Sequence, residues 1–262
     1  MNRLDPIVAA TREEVARRRE VTPPEVLERV VAARAETEEP VRSFHAALTR
    51  PGVSLIAEHK RRSPSAGLIR EDLVLEDVVG AYERGGAAAL SVLTEGSSFG
   101  GSLDDLRAAR RATGLPLLRK DFMVDPYQVH ESFAAGADAI LLIVAALTPA
   151  ELASLRAAAA ELGLAALVEV HDERELDAAL ELGAEIVGIN NRDLKTLEVD
   201  TRRTFELLPR VTGRALLVSE SGFSAPEQLR ELAHAGVDGV LIGEALMRSG
   251  DIEEACRALT AL

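Results

Sequence analysis

A chain of 262 residues, 47% of them hydrophobic, has the length for one closed α/β barrel or two small domains and ample apolar material for a core. Its net charge of −13 argues against nucleic acid or an anionic membrane as the main partner, while leaving room for an anionic small molecule at a locally positive site. Cys256 is the only cysteine, which rules out an intrachain disulfide and fits a reducing cytoplasm. Charges at Asp5, Arg12, Glu13 and Glu14 interrupt any signal-like stretch, and no apolar run approaches the ~18 residues of a membrane span.

Residues 1–50 read as helix, turn, helix and loop. Thr22-Pro-Pro-Glu25 has the pattern of a helix start, with Thr22 as the expected N-cap and Glu25 completing a capping box. Pro40 and Pro51-Gly52 mark the loop into the first strand. No flexible Gly/Ser linker follows, so 1–50 is expected to be an N-terminal helical extension, a lid or brace on a single domain spanning 1–262. Eight short runs rich in Val, Ile and Leu come next, at 53–59, 88–94, 115–120, 138–144, 165–170, 186–190, 215–220 and 238–242. Each is followed by a stretch with helical spacing, and continuous apolar runs are the mark of parallel strands buried on both faces. Gly86, Gly136, Gly183 and Gly236 recur about 50 residues apart, each a left-handed C-cap candidate just before an even-numbered strand. Eight units is the number that closes a (β/α)8 TIM barrel. A doubly wound open sheet is the competing architecture.

The chemistry-bearing residues fall at the strand ends. Only three lysines occur, Lys60, Lys120 and Lys195, against 27 arginines, and two of the three close apolar runs. A desolvated ammonium exchanges protons near neutral pH, whereas a guanidinium does not. The C-terminal ends of a barrel's strands carry its active site. There the sequence places Glu58 and Lys60 on strand one, Lys120 on three, Glu169 on five, Asn190 on six, Glu220 and Ser221 on seven and Gly243 on eight. Glu58 and Lys60 share a face and His59 points away. Simple pairing of Glu58 with Lys60 and of Glu169 with Lys120 explains the charges, but not their gathering at one end. Ser221-Gly222 and Gly243-Glu244, after strands seven and eight, have the placement of a backbone phosphate site. The loop Lys60-Arg-Arg-Ser63-Pro-Ser-Ala-Gly67 is a positive patch suited to carboxylate or phosphate, or a lid. The five histidines lack metal-ligand spacing, Ser221 lacks a histidine partner, and no dinucleotide or P-loop fingerprint occurs; neither metal nor cofactor is expected.

Taken together, Ile56-Ala-Glu-His-Lys-Arg-Arg-Ser-Pro-Ser65, Leu118-Arg-Lys-Asp-Phe122 with Asp125-Pro-Tyr-Gln128, Val168-Glu-Val-His171, Gly188-Ile-Asn-Asn-Arg-Asp-Leu194 and Val218-Ser-Glu-Ser-Gly222 resemble the indole-3-glycerol phosphate synthases over essentially the whole chain. One departure is Gly100, where that family usually has a bulkier residue before Gly-Ser. The resemblance implies ring closure of 1-(2-carboxyphenylamino)-1-deoxyribulose 5-phosphate with loss of CO2 and water, a cytoplasmic lyase (decarboxylase) of tryptophan biosynthesis, working as monomer or homodimer. It implies Lys120 as the acid, with Lys60 binding the carboxylate and available as a proton donor for the dehydration. Glu169 would be the base, and Glu58 would position Lys120 or the leaving hydroxyl. Asn190 and Glu220 would hold sugar hydroxyls, and Ser221, Gly222, Gly243 and Glu244 the phosphate end. Phe122 would stack near the aryl ring, with Ser63 and Arg192 also on the substrate. Two other readings of the same residues are a Schiff-base aldolase with Lys120 as nucleophile and a phosphate-binding barrel without turnover.

Overall fold

The computed structural model describes residues 4–36 and 40–261. Eight parallel strands form a closed barrel: β1 (Ser54–His59), β2 (Ala89–Leu93), β3 (Leu117–Lys120), β4 (Ala139–Ile143), β5 (Ala165–Val170), β6 (Ile186–Asn190), β7 (Leu216–Glu220) and β8 (Gly239–Ile242). Each pairs with the next in sequence. β8 returns to β1 in the register Ser54↔Gly239 through Ala57↔Ile242. That last ladder removes both sheet edges and excludes the open doubly wound sheet.

Before the barrel come α1 (Leu4–Val21), α2 (Pro24–Ala35) and a short α3 (Phe44–Leu48). Around it run α4 (Leu75–Arg84), α5 (Leu103–Ala112), α6 (Pro126–Ala135), α7 (Pro149–Glu161), α8 (Glu173–Glu181), α9 (Arg202–Val211) and α10 (Pro226–Ala235), then α11 (Glu244–Met247) and α12 (Ile252–Thr260) after β8. Gly86, Gly136, Gly183 and Gly236 all have φ between +76° and +99°, as the repeat required.

The strand pleat sorts the core into two layers. Ile56, Leu118, Leu141, Leu167, Val218 and Leu241 fill the barrel interior. Leu55, Ala57, Leu90, Val92 and Leu117 face the helices. Phe44, Ala47 and Leu48 of α3 pack with the interior cluster, and Ser54 Oγ donates to Ala47 O at 3.1 Å, tying α3 to the start of β1. Neither α3 nor the two-residue antiparallel hairpin Arg62–Ser63/Gly67–Leu68 was expected from the sequence.

The expected Thr22 cap is not formed. α2 starts at Pro24, with Pro23 as N-cap in an extended conformation (φ −56°, ψ 151°) and no side-chain cap. Proline at position 24 disfavours helical backbone at the residue before it, so the helix begins one residue too late for Thr22 to reach it. Thr148-Pro149-Ala150-Glu151 differs in having one proline, and there the reciprocal capping box closes.

α1 packs against α6 and the 3-10 turn Val144–Ala146 that follows β4. Arg18 Nε reaches Glu131 Oε1 at 2.9 Å, Arg19 reaches Asp125 at 3.0 Å and Arg12 reaches Glu151 at 2.8 Å. Tyr127 Oη donates to Thr22 O at 2.9 Å. These contacts dock the extension on α6 and α7.

Candidate active site

The inward-facing positions at the ends of β1, β3, β5, β6 and β7 place six polar side chains against one another. Lys60 Nζ lies 2.6 Å from Glu58 Oε1. Lys120 Nζ donates to Glu169 Oε2 at 3.1 Å and also to Glu220 Oε2. Asn190 Nδ2 donates to the other oxygen of Glu169 at 3.1 Å. Glu58, Glu169 and Glu220 are almost completely buried. Both simple pairings are therefore present, but they sit inside one cluster. Lys120 serves two carboxylates at once, and Glu58 makes its direct contact with Lys60.

Electrostatics distinguish the members of this cluster. Burial alone would lower Lys120, but Glu220, Glu169 and Glu58 outweigh it and raise its pKa. Burial would also raise Glu169; Lys120, His171 and Asn190 overcome it and hold Glu169 below the usual carboxylate range. Glu220 goes the other way. Desolvation, reinforced by Glu169 and Glu58, outweighs the pull of Lys120 and raises it. The cause is visible in the bonding: Glu220 Oε1 is buried with no hydrogen-bond partner, whereas both oxygens of Glu169 are occupied. An ammonium raised in this way is a poor imine-forming nucleophile, which counts against the aldolase reading.

Backbone geometry sets the other end. Ser221 and Gly222 have φ +65° and +94°, a turn that costs a serine conformational strain. Asn191 holds it, its Nδ2 donating to Glu220 O at 3.0 Å and Ser221 O at 3.1 Å, while Thr204 N and Oγ1 donate to its Oδ1. A side chain at Gly188 would collide with Glu220 Oε1. One at Gly243 would place Cβ 2.5 Å from Glu58 Oε1. Both glycines make room for a carboxylate.

A cavity of about 460 Å³ opens at this rim. Glu58, Lys60, Lys120, Glu169, Asn190, Glu220 and Ser221 line it, as do Ser63, Phe122, Arg192, Gly222, Gly243 and Glu244. The structure thus brings together every site residue read from the strand ends and motifs. Lys195 lies in an exposed stretch outside it. Several lining residues escaped the sequence: Leu4 and Ile7 of α1, Phe99, Leu141, Ile143 and Arg248. Phe99 and Phe122 face each other at 6.4 Å between ring centroids, making one apolar wall. Arg119, next to Lys120 but pointing outward, is fully buried and bonded to Asp121 at 2.8 Å and Thr94 at 2.9 Å, which fixes the exit of β3. Glu95 accepts Ser98 N at 2.7 Å and Phe99 N at 3.0 Å, which folds the loop after β2 inward. Gly100, the departure noted above, has φ +67°, so glycine relieves strain there. Among the described residues no group of three His, Cys, Asp or Glu is placed to hold a metal ion.

Comparison with known proteins agrees over the full length. The family model described as indole-3-glycerol phosphate synthase matches residues 4–259. Indole-3-glycerol phosphate synthase 2 of Streptomyces coelicolor is 49% identical over 245 residues, 94% of this chain and 93% of that one. The indole-3-glycerol phosphate synthase of a Nocardioides species is 47% identical over 262 residues, covering 100% and 99%. Among solved structures, thiamine phosphate pyrophosphorylase from Pyrococcus furiosus superposes with a TM-score of 0.61 at 18% identity, over 80% of this chain and 94% of that one. That likeness shows the barrel alone.

Proposed function

The chain belongs to the indole-3-glycerol phosphate synthase family, and from that membership and the rim geometry we propose how its own residues carry the reaction. The activity is ring closure of 1-(2-carboxyphenylamino)-1-deoxyribulose 5-phosphate to indole-3-glycerol phosphate with loss of CO2 and water, a carboxy-lyase step of tryptophan biosynthesis.

The observation that carries the assignment of roles is Lys120, an ammonium held between Glu169 and Glu220 inside the cavity. Closure puts negative charge on the ketone oxygen, and Lys120 donates the proton there. Its raised pKa keeps it protonated until the developing oxyanion out-competes the carboxylates. Lys60, backed by Glu58, binds the substrate carboxylate and stands ready to protonate the leaving hydroxyl. Glu169, ionised and steadied by Asn190, takes the proton lost from the former C1 methylene as water leaves. Glu220 and Asn190 hold the sugar hydroxyls. Ser221 and Gly222 at the left-handed turn, with Gly243 and Glu244 opposite, hold the phosphate. The aryl ring lies on the Phe99–Phe122 wall beside Leu4 and Ile7, with Ser63 and Arg192 also lining the cavity. Cyclisation leaves an iminium beside the carboxyl-bearing carbon, so that centre accepts the electrons released with CO2. The free, buried Cys256 fits a reducing cytoplasmic setting.

The test is appearance of indole fluorescence from the anilino-deoxyribulose phosphate. The intact protein forms product, and Lys120→Ala loses several orders of magnitude with the barrel still folded. A barrel without turnover gives no signal from either. An aldolase is trapped at Lys120 by borohydride, and the present reading predicts no adduct.

A further inference from the structure

His171 follows Glu169 by two residues at the end of β5, so the pleat turns both side chains the same way. Its Nε2 lies 3.3 Å from Glu169 Oε1, an ion-pair distance without the alignment of a hydrogen bond. On the far side its Nδ1 lies 3.0 Å from Glu175 Oε2, and the same oxygen accepts the His171 backbone N–H at 2.8 Å. Glu175 is itself fixed in the first turn of α8, where its N–H donates to the capping Asp172 at 2.9 Å. The ring is thus gripped between two carboxylates. A neutral imidazole has one N–H and serves only one of them; the imidazolium serves both.

The groups facing this pair come from four elements. Lys120 of β3, Asn190 of β6 and Glu220 of β7 face Glu169 from the barrel, and Glu175 of α8 faces His171 from outside. The 3-10 turn Val144–Ala146, packed against β5, carries no titratable group. Asn190 and His171 both converge on Oε1 of Glu169, which leaves Oε2 toward Lys120. The strand-end cluster already holds three buried carboxylates, Glu58, Glu169 and Glu220, and the substrate brings a carboxylate and a phosphate. Each added negative charge pushes a proton onto Glu169. A base in this position needs a cation behind it that does not give up its proton in the reaction, as Lys120 does.

We infer that His171 is a positioning residue for the reaction: clamped by Glu175 as an imidazolium, it pins Oε1 of Glu169 and keeps that carboxylate ionised when the anionic substrate enters. This rests on the reading of Glu169 as the base. The electrostatics agree: burial would lower His171, but the carboxylates of Glu169 and Glu175 on either side raise it to about 10.

The experiment compares kcat and KM from pH 5 to 9 for the intact enzyme, His171→Gln, His171→Arg, Glu175→Gln and Glu169→Gln. His171→Gln moves the acid limb of the kcat profile up by about one pH unit, as loss of an adjacent opposite charge requires, so kcat falls by up to about ten-fold on that limb while KM stays within about two-fold. Glu175→Gln moves the limb the same way by less. His171→Arg, with a permanent charge, keeps it low. Imidazole nitrogen NMR of the intact protein finds His171 doubly protonated at pH 8. A limb that stays put in His171→Gln, a rise in KM at constant kcat, or a neutral His171 at pH 8 overturns the inference; the NMR result stands even if a variant fails to fold. Glu169→Gln separates the two levels. If it remains active, the base assignment falls. If it is inactive while His171→Gln leaves the profile unmoved, only the role of His171 falls.

Discussion

Three successive residues at the end of β1 meet two different environments. Glu58 points into the barrel and meets Lys60, while His59 points to the helix layer and is buried. Burial lowers His59 to about 4, with Arg61 adding to the effect and Asp105 and Glu58 opposing it. Unfolded, it titrates near 6.5, so the unfolded chain binds the extra proton first. The stability this neutral ring contributes is present above pH 6.5 and is lost as pH falls toward 4, on the order of 3 kcal/mol. The urea midpoint of the natural chain should therefore drop more between pH 7 and 4.5 than that of His59→Phe. Equal drops would contradict the account. The sequence shows that His59 and His171 both end apolar strands, and the period of two places His59 outward and His171 beside Glu169. It does not show that one is neutral and the other charged. That difference is decided by Glu175, which reaches His171 from the helix that follows, whereas among the described residues no carboxylate forms an ion pair with His59.

At the scale of elements, backbone space matters as much as side-chain charge. Gly243 joins β8 to α11, and a Cβ there would lie 2.5 Å from Glu58 Oε1 and 2.9 Å from its Cβ. Gly243→Ala must displace Glu58 from Lys60. Overpacking of this kind costs roughly 1–3 kcal/mol, and kcat/KM should fall by more than ten-fold, while Gly250→Ala, with open space around it, leaves both unchanged. Undiminished kcat/KM in Gly243→Ala would remove Glu58 from the mechanism. α1 gives the cavity only apolar contacts, through Leu4 and Ile7. Weakening its anchor with Arg18→Ala should raise KM several-fold and leave kcat near its original value in steady-state assays, because uniform binding is lost and no transition-state contact is touched. The strands were legible to within two residues because buried parallel strands are uninterrupted apolar runs. α3 was not: five residues carry too short a period, and its apolar face has meaning only against the barrel floor. Leu4 and Ile7 were missed for the same reason. Nothing in their local sequence points to a cavity built from strands more than fifty residues away.

In a chain with a net charge of −13, the cavity rim sets Lys60, Lys120, Arg192 and Arg248 among its carboxylates. Arginine supplies most of the surface and buried pairing, from Arg119 in the core to Arg84 and Arg257 on Glu253. Lysine is confined to the cavity at Lys60 and Lys120 and to one exposed loop at Lys195. That division follows the chemistry of the two cations, a permanent charge for structure and an exchangeable proton for reaction. Closure of β8 onto β1 makes the division useful, because it brings strand ends from the length of the chain to one cavity. The chain contains no tryptophan and only two tyrosines, so an indole product is seen against weak protein emission. The decisive measurement is the rate of indole formation by Lys120→Arg beside the natural chain. Proton donation from Lys120 predicts that KM stays within a few-fold, since the positive charge remains, while kcat falls about 10²–10⁴-fold because the guanidinium keeps its proton. Turnover by Lys120→Arg within ten-fold of the natural rate would contradict it and reduce Lys120 to a counter-charge for Glu169 and Glu220.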